Sequence, residues 1–464
     1  MLNKWLCSIS LSLVVSTAFG AKVGELYDQH CKICHGADLK GGIGASLVDG
    51  QWRGDGSREF LTKVLKKGQP ELGMPGFEGV LSDAEIRALV IFIREKEKAA
   101  LAAPPPKPEE STGVFNVAGE KFRVETVASG FKIPWGVDFL PDGRYIVTER
   151  PGTVRIVEAD GTVNKPIVGT PEVFAKGQGG MLEVAVDPDY ASNGWIYLGF
   201  SDKQKRKGEE VGLTKVVRGK VEGNEWREEE TLFEAPEKFY SPTGQHFGTQ
   251  IVFDGEGHLF FSIGDRGRQN EAQDINRPNG KIHRINTDGS IPMDNPFRDD
   301  GFPTVWSYGN RNAQGLAMHP VTNELWESEH GPRGGDEINL IERGKNYGWP
   351  VITYGMNYNG TPITSETERP GMEQPKHYWT PSIAVSGIDF YQGYAFSSWK
   401  NHLLVGSLRQ EELHLLEIED GEVKSDTIVL EDHGRIRDVV SGPDGAIYLV
   451  VNSPDQLIRI VPAD

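Results

Sequence analysis

A chain of 464 residues is long enough for two or three domains, and an apolar fraction of 38% suffices to build their cores. With 49 Lys and Arg against 67 Asp and Glu the formal charge is −18, which argues against nucleic acid or anionic lipid as partners and leaves a neutral or basic redox partner open. No internal stretch is long and apolar enough to span a bilayer.

The N-terminus reads as an export signal over residues 1–20: Lys4, an apolar run from Trp5 to Val15, then Ala18-Phe19-Gly20 before Ala21. The mature chain is therefore expected in a periplasm or outside the cell, with no integral membrane segment once the leader is removed. Cys7 leaves with the leader and stands too near the start to be a lipid-attachment cysteine. Cys31 and Cys34 remain, so no disulfide framework is available beyond that pair.

Cys31-Lys32-Ile33-Cys34-His35 is a C-x-x-C-H element, the attachment pattern of c-type haem. Thiols at that spacing reach both vinyl groups of one haem, and His35 offers its imidazole to the iron. A redox dithiol needs no following His, and a zinc site would need a second Cys pair. Downstream, Gly73-Met74-Pro75-Gly76-Phe77 resembles the axial-Met loop of class I cytochromes c, which implies Met74 as the other iron ligand. Met/His ligation raises the potential and suits an electron acceptor. Helices are expected over Val23–His30 and Ser57–Lys67, and a third from the capping box Ser82-Asp83-Ala84-Glu85 to about Lys96. Together these predict a small all-α cytochrome c domain over residues 21–96. Residues 97–114 read as a linker whose Pro104–Pro106 and Pro108 make a semi-rigid spacer, across which two domains could still move.

From residue 115 to 464 a polar turn followed by a short alternating strand recurs. Pro141-Asp142-Gly143 precedes Arg144–Glu149, Asp187-Pro188-Asp189 precedes Trp195–Phe200, and Phe253-Asp254-Gly255 precedes His258–Asp265. His319-Pro320 precedes Glu324–Glu329, Gln392-Gly393 leads after a longer gap to His402–Leu408, and Pro443-Asp444-Gly445 precedes Ala446–Val451. Copies roughly 45–75 residues apart suit four-stranded blades, so the expected class is mostly β, a six-bladed β-propeller; the segment is too long for one β-sandwich. Uneven spacing implies inserted loops, where function usually sits.

Within it, residues 307–350 carry the densest chemistry. Gln314–Met318 and Glu324–Trp326 read as short strands joined by His319-Pro320-Val321-Thr322. The turn Glu329-His330-Gly331-Pro332-Arg333-Gly334-Gly335-Asp336-Glu337 follows, with backbone free to turn carbonyls inward and carboxylates close by. Hard cations, Ca²⁺ foremost, take such oxygens; a tight turn with a solvated acidic edge has the same composition.

Arg311-Asn312-x-Gln314-Gly315-Leu316-Ala317, Glu329-His330-Gly331-Pro332, Asp336-Glu337-Ile338-Asn339 and Asn346-Tyr347-Gly348-Trp349-Pro350 resemble the signature of the soluble pyrroloquinoline quinone (PQQ) dehydrogenases, the glucose/sorbosone dehydrogenase family, and its aldose sugar dehydrogenase branch most closely. The resemblance implies the same six-bladed fold, PQQ and Ca²⁺ as cofactors, and oxidation of an aldose sugar. It implies His246 as the catalytic base; as an imidazole in a loop it is otherwise an ordinary structural candidate. Gln245 stands where the soluble glucose dehydrogenases carry an acidic residue, which leaves the orienting partner of His246 open. Gln178, in Gly177-Gln178-Gly179-Gly180, matches the Gln of the sugar and cofactor region.

Arg435 and Arg437 lie two apart and would share one face of a strand, where two guanidinium forks suit a polycarboxylate. The resemblance assigns both to PQQ, together with the position of Arg409, where the glucose enzymes have Lys. Arg311, with Asn312, would lie near the quinone oxygens and stabilise developing charge. Carbonyls of Gly331 and Pro332 would hold the calcium, with Asp336 and Glu337 as candidates for a second one. The loop Asp265-Arg266-Gly267-Arg268 is expected to shape the same cavity structurally. The expected whole is a quinohaemoprotein that passes electrons from an aldose through PQQ to haem c and on to an external acceptor, a cytochrome or respiratory-chain component. A calcium-dependent propeller lactonase or hydrolase, and a non-catalytic sugar-binding propeller beside an electron-shuttling cytochrome, are the alternatives; neither gives all the motifs a task.

Overall fold

A computed structural model describes residues 22–41, 44–101 and 113–463. The expected leader with Cys7, and residues 102–112 of the expected linker, lie outside the described residues.

The N-terminal segment folds into α1 (Val23–His30), α2 (Lys32–His35), α3 (Arg58–Lys67) and α4 (Asp83–Leu101). Ser57 caps α3, its Oγ accepting from Phe60 N at 3.0 Å. At the start of α4 the capping box forms in both directions: Ser82 N donates to Glu85 Oε2 at 2.8 Å and Glu85 N to Ser82 Oγ at 3.3 Å. Instead of stopping near Lys96, α4 runs on to Leu101. The buried Glu97 accepts the Trp52 indole N–H at 2.6 Å and pairs with Arg94, which ties the extra turn to the domain. Leu26, Tyr27, Leu61, Leu65, Leu89 and Ile93 close the core beneath the C-x-x-C-H turn.

The remainder is a six-bladed propeller. Four sheets hold four strands, one holds three, and one holds five. Each strand foreseen from the turn repeat is the second strand of its blade: Tyr145–Glu149, Ile196–Arg206, His258–Ile263, Leu325–Glu329, Leu403–Ser407 and Ile447–Asn452. The turn signal marks the connection between first and second strands, which is why it repeats once per blade.

Adjacent blades are stapled where their innermost strands meet. Carboxylates of one strand accept backbone N–H groups of the next: Asp389 from Ser441 at 2.7 Å, Asp438 from Val137 at 3.1 Å, and Asp138 from Val186 at 2.6 Å. Gln250 Oε1 does the same for Leu316 N at 2.7 Å. Burial, with Asp389 and Asp138 nearby, pushes Asp438 up to about 7.

The ring is closed by its two ends. In the five-stranded blade the early strand Glu120–Ser129 pairs antiparallel with the final strand Gln456–Pro462. Ile458 and Ile460 are buried there. Deleting residues 456–464 is therefore expected to abolish cooperative thermal unfolding followed by circular dichroism, whereas removing a surface loop of similar length should leave it intact.

Candidate active site

The loops before the inner strands converge on His246. Its backbone is left-handed, φ 53°, a strained position for a non-glycine residue of the kind found at functional sites. Two loops hold it there. Gln178 Oε1 accepts the His246 backbone N–H at 2.7 Å, which brings the Gln178 and His246 segments together. The other brace is Arg266, buried, with its guanidinium on the carbonyls of Gln245, Thr243 (2.6 Å) and Gly212 (3.2 Å) and its plane over the Phe247 ring at 3.3 Å.

Asp265 supplies what the sequence left open. Its Oδ1 lies 2.6 Å from His246 Nδ1, and its Oδ2 accepts the Trp349 indole N–H at 2.8 Å. The loop read as merely shaping the cavity therefore orients both the ring and the backbone of His246. Burial alone would raise Asp265, but the His246 bond, the Arg311 charge and the Trp349 N–H hold it below the usual carboxylate range. An ionised Asp265 can only accept, so the proton sits on Nδ1 and leaves Nε2 as the free basic nitrogen. Burial lowers the His246 pKa and Arg311 and Arg266 reinforce this, with Asp265 opposing, so the ring is a neutral base at physiological pH.

Arg311 stands beside it, donating to the carbonyls of His330 (2.8 Å) and Gly331 (3.0 Å) with its guanidinium 5.4 Å from the Trp349 ring. Asn312 Oδ1 accepts from Gly248 N at 3.2 Å, next to the His246 loop. The carbonyl-bearing turn at Gly331-Pro332 is held by Asp336, whose Oδ1 accepts from Gly331 N at 2.8 Å and Oδ2 from Ser382 Oγ and Ala384 N, both at 2.6 Å. Both Asp336 oxygens are thus engaged inside the fold. Glu337 instead lies opposite Glu329 in the ladder, with Glu327 opposite Asn339, and burial raises the pKa of all three glutamates. His330 packs half-buried among Arg311, Arg437 and His246 with Nε2 unpartnered among the described residues, and desolvation followed by those charges pushes it down to about 3.

Arg435 and Arg437 lie close enough for their charges to repel, but not through simple strand alternation. Arg437 is the extra residue of a β-bulge in the strand Arg435–Ser441, so simple alternation does not set its direction. Its guanidinium packs 4.0 Å from the Trp135 ring, touches Gln314 Oε1 only at 3.5 Å, and leaves Nε without a partner among the described residues. Burial, then the like charges of Arg435 and Arg150, push it down to about 9. Arg435 and Arg409 are exposed. Arg150 joins this cationic group without having been foreseen. The half-buried Arg437, with the charges of Arg435 and Arg150 close by and only Asp438 opposing them, fits a polyanionic guest such as PQQ.

At the C-x-x-C-H turn Cys31 is buried and Cys34 half-buried. His35 Nδ1 bonds Ala45 O at 2.8 Å, which leaves Nε2 available to an iron. A Cβ on Gly44 would sit 2.9 Å from that ring, so glycine is required there. Met74 is partly buried and packs on the domain core. These residues fit haem.

Residues 131–459 match the model of the Glucose / Sorbosone dehydrogenase family, and residues 19–93 match "Cytochrome C oxidase, cbb3-type, subunit III". The chain belongs to the glucose/sorbosone dehydrogenase family, with a cytochrome c domain at its N-terminus. It is 40% identical over 348 residues to aldose sugar dehydrogenase YliI of Escherichia coli (strain K12), covering 73% of this chain and 92% of that one. The structure of soluble aldose sugar dehydrogenase from Escherichia coli in the apo-form superposes with a TM-score of 0.70 at 38% identity, over 74% of this chain and all (100%) of that one. The PQQ-bound aldose sugar dehydrogenase of Streptomyces coelicolor gives 0.59 at 28% identity, over 74% and 98%. The protein is thus an aldose sugar dehydrogenase-type propeller carrying a cytochrome c domain. Among its described residues no helix is long and apolar enough to cross a membrane.

Proposed function

We propose that this protein is an exported, periplasmic quinohaemoprotein that oxidises aldose sugars at the anomeric carbon to lactones and passes the electrons to its own haem c, and from there to an external acceptor. The observation that carries this is the His246–Asp265 pair, with His246, Arg311 and Arg437 gathered around His330. Nε2 of His246 takes the proton of the anomeric hydroxyl, and Asp265 keeps that nitrogen unprotonated beforehand and stabilises the imidazolium afterwards. Arg437, Arg435 and Arg409 bind the carboxylates of PQQ, while Arg311 and Asn312 face its quinone end; the bound quinone supplies the hydride acceptor. Carbonyls of Gly331 and Pro332 hold Ca²⁺ at that end, Arg311 sharing the Gly331 oxygen. Glu337, with an oxygen less engaged than those of Asp336, is the better candidate for a second calcium. Cys31 and Cys34 anchor haem, with His35 and Met74 on the iron.

One optical experiment tests the whole. Purified oxidised protein is given PQQ and Ca²⁺, then a panel of aldoses, and the reduced c-haem band is followed. The expected result is sugar-dependent haem reduction that requires PQQ and disappears in His246→Ala. Reduction of an external dye with the haem left oxidised would remove the internal relay; reduction of neither by any sugar would remove the aldose reading.

A further inference from the structure

One face of α4 is not explained by the cytochrome fold. Arg87, Ile91, Glu95 and Lys98 recur at helical spacing, so they form a single stripe, and every member meets the propeller. Arg87 Nη2 donates to Thr364 O at 2.6 Å. Ile91 fits against Gly334, where a Cβ would lie 3.1 Å from its Cδ1. Glu95 receives a fork from Arg333, with Nε at 3.0 Å and Nη2 at 2.5 Å from Oε2, both side chains mostly buried. Lys98 reaches Glu412 at 3.2 Å.

Contacts from outside α4 extend the seat. The Arg58 guanidinium lies 3.5 Å over the Tyr378 ring, which itself stacks on Tyr354 at 3.8 Å. Val23 N donates to Gly360 O at 3.0 Å, and Met356 of the propeller is buried inside the cytochrome's own apolar core. A spacer that allowed the domains to swing would not call for this. The contacts are also placed with respect to the site: Arg333 and Gly334 directly follow Gly331 and Pro332 in the same turn.

Resting on the proposed sugar-to-haem relay, we infer that the α4 stripe is a dedicated docking face that holds the cytochrome domain on the Gly331–Gly335 turn in the resting protein. Arg87, Ile91, Glu95 and Arg333 act as positioning residues for electron transfer. The two electrons taken from each sugar then leave one at a time. Each reduces ferric haem to ferrous, a one-electron acceptor reoxidises the haem between the two steps, and both protons go to solvent. A docked donor makes the first of these steps independent of protein concentration.

The test uses the full-length haem protein loaded with PQQ and Ca²⁺, comparing wild type with Glu95→Arg, Glu95→Asp and Ile91→Glu. In single-turnover mixing with an aldose, Glu95→Arg and Ile91→Glu are expected to slow haem reduction by on the order of tenfold or more. Dye-linked sugar oxidation and the oxidised haem spectrum should stay unchanged, and Glu95→Asp should retain most of the rate. Small-angle scattering of the same proteins without PQQ or sugar reads the docking separately: one compact particle for wild type, a larger radius of gyration for the two disruptive variants. Unchanged haem reduction in both variants, or an unchanged radius in both, overturns the proposal. If wild type reduces neither dye nor haem with any sugar while the radii still differ, the docking face stands and the sugar-oxidising reading falls.

Discussion

Asp265→Asn is expected to lower kcat by on the order of 10²- to 10⁴-fold with little change in KM, the range a positioned general base contributes. The carboxylate 2.6 Å from Nδ1 can only accept, so it fixes the proton on that nitrogen. An amide in its place can donate to Nδ1, which moves the imidazole proton to Nε2 and blocks the nitrogen proposed to take the sugar's proton. The size and volume of the side chain barely change and the amide oxygen can keep the Trp349 bond, so folding should survive the loss of the Gly267 N–H bond that Oδ1 accepts at 2.7 Å. The pH profile separates this role from a structural one. In the wild type, the acid limb of kcat/KM should lie below the ordinary histidine range, because burial and then the Arg311 and Arg266 charges outweigh the pull of Asp265. Activity is present above that lowered pKa and is lost as pH falls through it, since the imidazolium cannot accept. Removing the Asp265 charge takes away the one influence holding the value up, so the limb should move further down while the plateau collapses. A profile and plateau within about twofold of wild type would show that Asp265 does not serve His246 in this way.

Gly331→Ala is expected to cripple cofactor and calcium binding. A Cβ there would lie 2.1 Å from Gly335 O and 2.5 Å from Gly334 O, both backbone atoms that cannot swing aside. The turn must open, which pulls Gly331 N from Asp336 and displaces the carbonyls that Arg311 gathers. Overpacking of this kind costs about 1–3 kcal/mol of stability. Losing one well-directed bond to a charged guest costs about 1.5–3 kcal/mol, or on the order of ten- to a hundredfold in affinity. Calorimetric titration of the protein with PQQ at saturating Ca²⁺, beside a thermal melt, reads both. Wild-type affinity in a protein with an unchanged melting point would mean that the turn has no part in the site.

The propeller was legible because its signal is local and repeated: a hairpin turn before the second strand of every blade is fixed by nearest neighbours. The haem motif was legible for the same reason, since its chemistry is carried by residues 31–35. What escaped was everything that depends on long-range closure. Asp265 reads as one more polar loop residue, because its meaning lies in His246 and in Trp349, far along the chain. Arg150 gives no sign of joining the arginine group until the blades are arranged in a ring. Arg437 was read by strand alternation, and a bulge, which leaves no clear mark in the sequence, re-aims it. Asp336 and Glu337 look interchangeable side by side, yet alternation sends one inward to three hydrogen bonds and the other toward the buried glutamates. The stripe on α4 was hidden by its own composition: Arg, Glu and Lys at helical spacing look like a solvated face, and only the Arg333, Thr364 and Glu412 partners make it an interface.

The closure of the ring also sets a clock. Strand Glu120–Ser129 cannot join the final blade until Gln456–Pro462 exists, so that blade depends on contacts between the two ends of the propeller sequence, the kind that form slowest. The helical domain precedes all of this and, Met356 apart, draws its core from residues 23–93. During synthesis it can begin to fold while the blades are still accumulating, and α4 is then in place before the turn it receives has been made.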